Sequence, residues 1–216
     1  MRRITFIGVV LIGWICATGA VRAAEVYFDG GIKLWYAEPK LADRAMMYGP
    51  SGVISIDETY WLRAYYLYGQ FDYIQRREPR RVGDFGVYDA ELAGGINWNI
   101  FHFGVGLHWA TVLFEETGPD TRTIRNKGGF GPVLVAGVAQ SLTEWPWGFA
   151  GSPWGWYSGA TWMFHDFEDH NGEYINFEVG VTHMSHGLYK SIGYRFKETF
   201  EHERMEGFTA TLLFEF

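Results

Sequence analysis

The sequence predicts an all-β fold, a closed antiparallel transmembrane β-barrel of ten strands with eight as the alternative. Three observations point there. Beyond residue 24, apolar residues recur at every second position, and helical spacing is hard to find. Most alternating stretches run to ten residues or more, longer than common globular strands and suited to tilted strands that cross a bilayer. The chain also carries 17 Phe, 13 Tyr, 10 Trp and 28 Gly in 216 residues, an aromatic and glycine excess that a soluble domain of this size rarely needs.

The first element is an address. Arg2 and Arg3 precede an apolar or small stretch from Ile4 to Ala20, and Val21-Arg22-Ala23 offers a small-x-small cleavage pattern. Residues 1–23 therefore read as a signal peptide and 24–216 as the barrel domain, with an uncleaved anchor as the alternative. Cys16 would leave with the leader. The leader holds three arginines and no acid, so the net charge of −7 becomes −10 in the mature chain.

Ten stretches follow: 25–37, 46–56, 59–73, 84–98, 100–115, 128–140, 154–165, 173–184, 187–197 and 206–216. The fourth sets Tyr88, Ala90, Leu92, Gly94 and Ile96 against Asp89, Glu91, Ala93, Gly95 and Asn97. The fifth sets Phe101, Phe103, Val105, Leu107 and Trp109 against His102, Gly104, Gly106 and His108. The eighth opposes Ile175, Phe177, Val179 and Val181 to Asn176, Glu178, Gly180 and Thr182, and the ninth opposes Leu188, Ile192, Tyr194 and Phe196 to Tyr189, Ser191, Gly193 and Arg195. The last sets Phe208, Ala210, Leu212, Phe214 and Phe216 against Gly207, Thr209, Thr211 and Glu215. In a strand the two sets face opposite sides. One face is apolar throughout and the other mixes glycine with polar groups, so lipid lies outside and the polar set within. Closure is required, because no sheet edge can face hydrocarbon.

Short turns at Asp57-Glu58-Thr59 and Asn97-Trp98-Asn99 alternate with longer charged segments at 73–81, 115–127, 165–173 and 197–204. Leu142 to Pro153 falls where a short turn belongs but is long and Trp-rich. Tyr60, Trp61, Trp98, Trp109, Trp154, Trp156 and Trp162 gather near strand ends, as interfacial girdles do. The inward set includes Asp29, Lys33, Arg63, Asp89, Glu91, His102, His108, Glu178, Arg195 and Glu215. Charges of both signs enclosed together are expected to pair, since a lone buried charge is costly. A side-chain-filled interior or a narrow polar conduit both fit that lining.

Composition excludes other classes. The acidic balance argues against a nucleic-acid surface. One cysteine makes neither an internal disulfide nor a cysteine-built metal site. The glycines fall at alternate strand positions, not in a nucleotide-binding loop before a helix, so no cofactor is expected. His165, Asp166, Glu168, Asp169 and His170 could hold a divalent cation or simply be solvated, and no metal site is assigned. Arg76, Arg77, Arg80 and Arg81 could meet lipopolysaccharide phosphates.

Phe208, Ala210, Leu212, Phe214 and Phe216 end the chain in a pattern that resembles outer-membrane barrel proteins as a broad class. The resemblance implies the outer membrane of a Gram-negative bacterium, outer-membrane lipid and lipopolysaccharide as partners, and a last strand read by the assembly machinery. The leading expectation is a small outer-membrane barrel with a structural, binding or narrow-channel role. A second resemblance is local: His183-Met184-Ser185-His186-Gly187 with Glu206 is similar to lipid A deacylases of the acyloxyacyl hydrolase family. It implies His183 as base, Ser185 as nucleophile and Glu206 as the acid that orients the histidine. His186 stands where that family has asparagine. By alternation these residues face lipid. A separate strand over 188–197 would place Glu206 at the other end of the barrel from His183 and Ser185.

Overall fold

The computed structural model describes residues 25–39, 42–75, 80–117, 122–141, 152–167, 170–199 and 204–216. Ten strands follow one another in the chain: β1 (Val26–Pro39), β2 (Ala45–Ile56), β3 (Tyr60–Gln75), β4 (Arg80–Trp98), β5 (Phe101–Thr117), β6 (Arg122–Ser141), β7 (Trp154–Phe167), β8 (His170–Ser185), β9 (Leu188–Thr199) and β10 (Arg204–Glu215). Each pairs antiparallel with its chain neighbours, and β1 pairs with β10 to close the barrel. The closing seam runs from Asp29↔Glu215 to Pro39↔Met205. At its end Phe216 N–H donates to the Phe28 carbonyl at 3.0 Å, and the two rings lie 5.8 Å apart.

Alternation sorts the side chains as expected. Ile32, Leu62, Leu92, Val105, Leu134, Val179, Val181 and Ile192 lie exposed on the outer face, with Trp98, Phe101 and Trp154 toward one end and Trp109, Phe130 and Trp162 toward the other. An apolar outer band between aromatic girdles is what hydrocarbon requires of a barrel wall. The buried residues lie within.

Trp61 departs from the girdle reading. It is only 8% exposed and packs inside with Ala93, Val133, Val135, Met163 and Tyr174. It shares a face with the inward Arg63, two residues on. Gly104 makes room, since a Cβ there would come within 2.6 Å of the indole.

The longer charged segments also differ from expectation. Strand pairing continues into all four, with β3 and β4 paired to Gln75↔Arg80, β5 and β6 to Thr117↔Arg122, β7 and β8 to Phe167↔His170, and β9 and β10 to Glu198↔Arg204. Backbone hydrogen bonds hold a sheet together beyond the hydrocarbon, where no apolar face is needed, so polarity there hides the strand. The expected turn at Asn97-Trp98-Asn99 sits slightly later, with Trp98↔Phe101 as the last pair and Asn99 at φ 57°. Residues 1–24 and most of Leu142 to Pro153 lie outside the described residues, and so does the leader reading.

Candidate functional site

The His183–Gly187 stretch ends β8 and turns into β9. Ser185↔Leu188 is the last pair, and His186 and Gly187 between them have φ of 50° and 70°. A two-residue hairpin loop with both φ positive matches the twist of its strands, which explains glycine at the second position. His183 packs edge-on against Trp154, with ring centroids 4.7 Å apart. Ser185 lies two residues further along the same face.

Glu206 lies elsewhere. His183 is level with Lys190 on β9, whereas Glu206 is level with Phe196. Six residues along β9 at about 3.3 Å each separate them by about 20 Å. Glu206 accepts instead from Arg204 Nη2 at 2.5 Å and Nε at 3.0 Å. The structure thus brings His183 and Ser185 together at the turn end and sets Glu206 at the opposite end. An acid that far from the imidazole cannot orient it.

The interior concentrates the polar chemistry. Asp89, buried at 1%, sits at the centre of one network. Arg195 Nη2 donates to Asp89 Oδ2 at 2.8 Å and to the Tyr65 hydroxyl at 3.1 Å, and Arg195 Nε donates to Asn176 Oδ1 at 2.7 Å. His108 Nε2 lies 2.5 Å from Asp89 Oδ1, and Lys197 Nζ lies 3.5 Å from Oδ2. These contacts tie β3, β4, β5, β8 and β9 across the lumen. Two smaller groups adjoin. Glu178 accepts from Lys33 at 2.8 Å, from the Tyr157 hydroxyl at 2.8 Å and from the Thr209 hydroxyl at 3.0 Å. Arg63 Nε donates to Glu91 Oε1 at 2.8 Å. The expected pairing of enclosed charges is thus largely present, although Glu215 lies exposed at the rim and Asp29 has no ion-pair partner among the described residues.

The Tyr157 ring reaches Glu178 by lying across two paired glycines. A Cβ on Gly180 would come within 2.7 Å of the ring, and one on Gly193 within 2.5 Å of the hydroxyl. The close approach requires glycine at both positions.

Above this belt, away from the short turns, the described lining on the β1 to β4 side is apolar, while Lys197 and Thr111 keep polar groups buried on the far wall. The Arg195 guanidinium stacks on the Trp35 ring at 4.4 Å, and Trp35 packs with Ala37, Met47, Leu67, Phe71 and Val87, all buried. Among the described residues no group of three or more His, Cys, Asp or Glu could hold a metal ion. The side chains of the His165–His170 cluster and of the Arg76–Arg81 segment lie outside the described residues.

A greasy exterior around an ion-paired, enclosed lumen defines a membrane-spanning β-barrel of the outer-membrane type. No family model matches the chain, and no curated protein matches it. Among solved structures it is similar to the beta domain of the Bordetella autotransporter Brka, at 13% identity over 90% of this chain and 100% of that one, with a TM-score of 0.45. It is also similar to the translocator domain of the autotransporter NalP from Neisseria meningitidis, at 9% identity over 98% of this chain and 95% of that one, with a TM-score of 0.43. Neither likeness bears on what this chain does.

Proposed function

We infer that the chain is a small outer-membrane β-barrel with a plugged lumen, serving a structural or binding role rather than passage or hydrolysis. The observation that carries this reading is the stack inside the barrel. Arg195 is tied to Asp89 and lies against Trp35, and Trp35 packs into the Met47, Leu67, Phe71 and Val87 cluster. A fully buried cation held by a carboxylate, an amide and two aromatic rings supports a lumen filled at this level by the described side chains. The leader at residues 1–23 delivers the chain for export, and the Phe216-ending strand presents it to the assembly machinery. Lipid is its constant partner through the outer belt.

The test is conductance. The purified barrel in a planar bilayer is expected to give no steady current steps, while a Trp35→Ala, Phe71→Ala, Arg195→Ala variant gives them. Regular steps from the unaltered protein would overturn the plug. Outer-membrane fractionation of the full chain, with and without Phe216, tests the location. Recovery of the intact chain in the inner membrane would sink it.

A further inference from the structure

Below the plug, on the turn side, the lumen holds a cavity of about 410 Å³, within the range of small-molecule sites. Its mouth is at the turn end. Asp29, Met184, Tyr189 and Leu213 line it from within four residues of the turn-side ends of their strands. Met184 points inward there and is still 61% exposed.

Most charges on this wall engage one another, as Lys33 does Glu178 and Arg195 does Asp89. Two groups do not. The Asp29 carboxylate has no partner among the described residues. Arg63 gives only Nε to Glu91 and lies over the Trp61 ring at 5.4 Å, which leaves both terminal nitrogens without a hydrogen-bond or ion-pair partner among the described residues, and its side chain is 31% exposed. The buried Oε2 of Glu91 beside it is unpartnered too. Asp29, Val53 and Arg63 are directly paired across β1, β2 and β3, so all three project from one stretch of inner wall. At about 4.8 Å per strand, the outer two backbones stand roughly 10 Å apart. The row reads anion, apolar residue, cation.

We propose that this row binds a small zwitterion, with its ammonium on Asp29, its carboxylate on the open end of Arg63 and its apolar chain along Val53. The guanidinium offers two parallel N–H donors to a carboxylate, a geometry that favours oxyanions over neutral acceptors. An α-amino acid, with both charges on adjoining groups, is too short for the row. A dipeptide or an ω-amino carboxylate fits, since two residues of extended chain span about 7 Å and both protein side chains reach inward to meet it. The site goes beyond the plugged-barrel reading and does not depend on it: a barrel that conducts yet binds the zwitterion would end the plug and leave the site standing.

The experiment is titration calorimetry of the folded barrel in detergent with 6-aminohexanoate, hexanoate and hexylamine. The zwitterion is expected to bind at least about ten-fold more tightly than either single-charge analogue. Asp29→Asn should erase its advantage over hexanoate and keep its advantage over hexylamine, and Arg63→Gln should do the reverse. Asp29→Asn breaks no contact among the described residues, so that arm decides even where Arg63→Gln fails to fold. No binding of the zwitterion, equal binding of all three, or an Asp29→Asn variant that weakens all three alike overturns the proposal.

Discussion

Asp89→Ala probes the lumen most directly. Asp89 faces Arg195 at 2.8 Å, His108 at 2.5 Å and Lys197 at 3.5 Å, and both Asp89 and Arg195 are buried. Removing the carboxylate leaves the Arg195 guanidinium enclosed with only neutral neighbours, Asn176 and Tyr65, as hydrogen-bond partners. Breaking a buried pair at one partner costs about 3–5 kcal/mol, because the remaining charge stays desolvated. The network joins strands that are not neighbours in the sheet, so the loss should appear in global unfolding rather than at one hairpin. Equilibrium urea unfolding in lipid vesicles, followed by tryptophan fluorescence, measures it. Asp89→Leu combined with Arg195→Met removes both charges and is expected to recover much of the loss, since apolar replacement of a buried pair is often near neutral. The double-mutant cycle, completed by the single variants Asp89→Leu and Arg195→Met, then gives the coupling between the two sites. A single-variant loss below about 1 kcal/mol, the scale of a solvated pair, would refute the enclosed network.

Three further outcomes follow from the same geometry. Gly193→Val sets side-chain atoms where the Tyr157 hydroxyl lies 2.5 Å from a Cβ; overpacking should cost about 1–3 kcal/mol, whereas Gly159→Ala, whose Cβ meets nothing nearer than 3.8 Å, should be close to neutral in the same unfolding assay. Val105→Arg, in the outer belt at 50% exposure, should cost about 2–4 kcal/mol in vesicles and Val26→Arg at the rim about 0–1; equal costs would contradict a lipid-facing belt. Ser185→Ala should leave acyl release from lipid A unchanged, because Glu206 is held by Arg204 at the far end of the wall; loss of a measurable release would reinstate the hydrolase.

Much of the fold was legible because the bilayer imposes a period of two on every strand it touches. Val105, Val179 and Ile192 could be placed outside, and Asp89, Glu178 and Arg195 inside, from alternation alone. Trp61 was misplaced by its residue type, although its parity with Arg63 carried the correct signal. The ends of β3 to β6 were hidden because, beyond the hydrocarbon, charged residues can occupy both faces of a strand. Pairing inside the lumen could be expected in kind but not in detail. Asp89 and Arg195 stand 106 residues apart on non-adjacent strands, and only the curvature of the closed wall brings them together. The same limit applies to Asp29, Val53 and Arg63, whose alignment rests on the register of two hairpins. His183 and Ser185 were visible as a motif, and the positive φ at His186 and Gly187 shows that the hairpin needs that sequence as a turn.

The unequal strands give the molecule a slanted crown. β4 has 19 residues and β6 has 20, while β2, β9 and β10 have 12 each. At about 3.3 Å per residue and a tilt near 40°, the long strands stand roughly 50 Å tall and the short ones about 30 Å. The flank from β4 to β6 therefore rises as a one-sided parapet roughly 20 Å above the wall formed by the short strands.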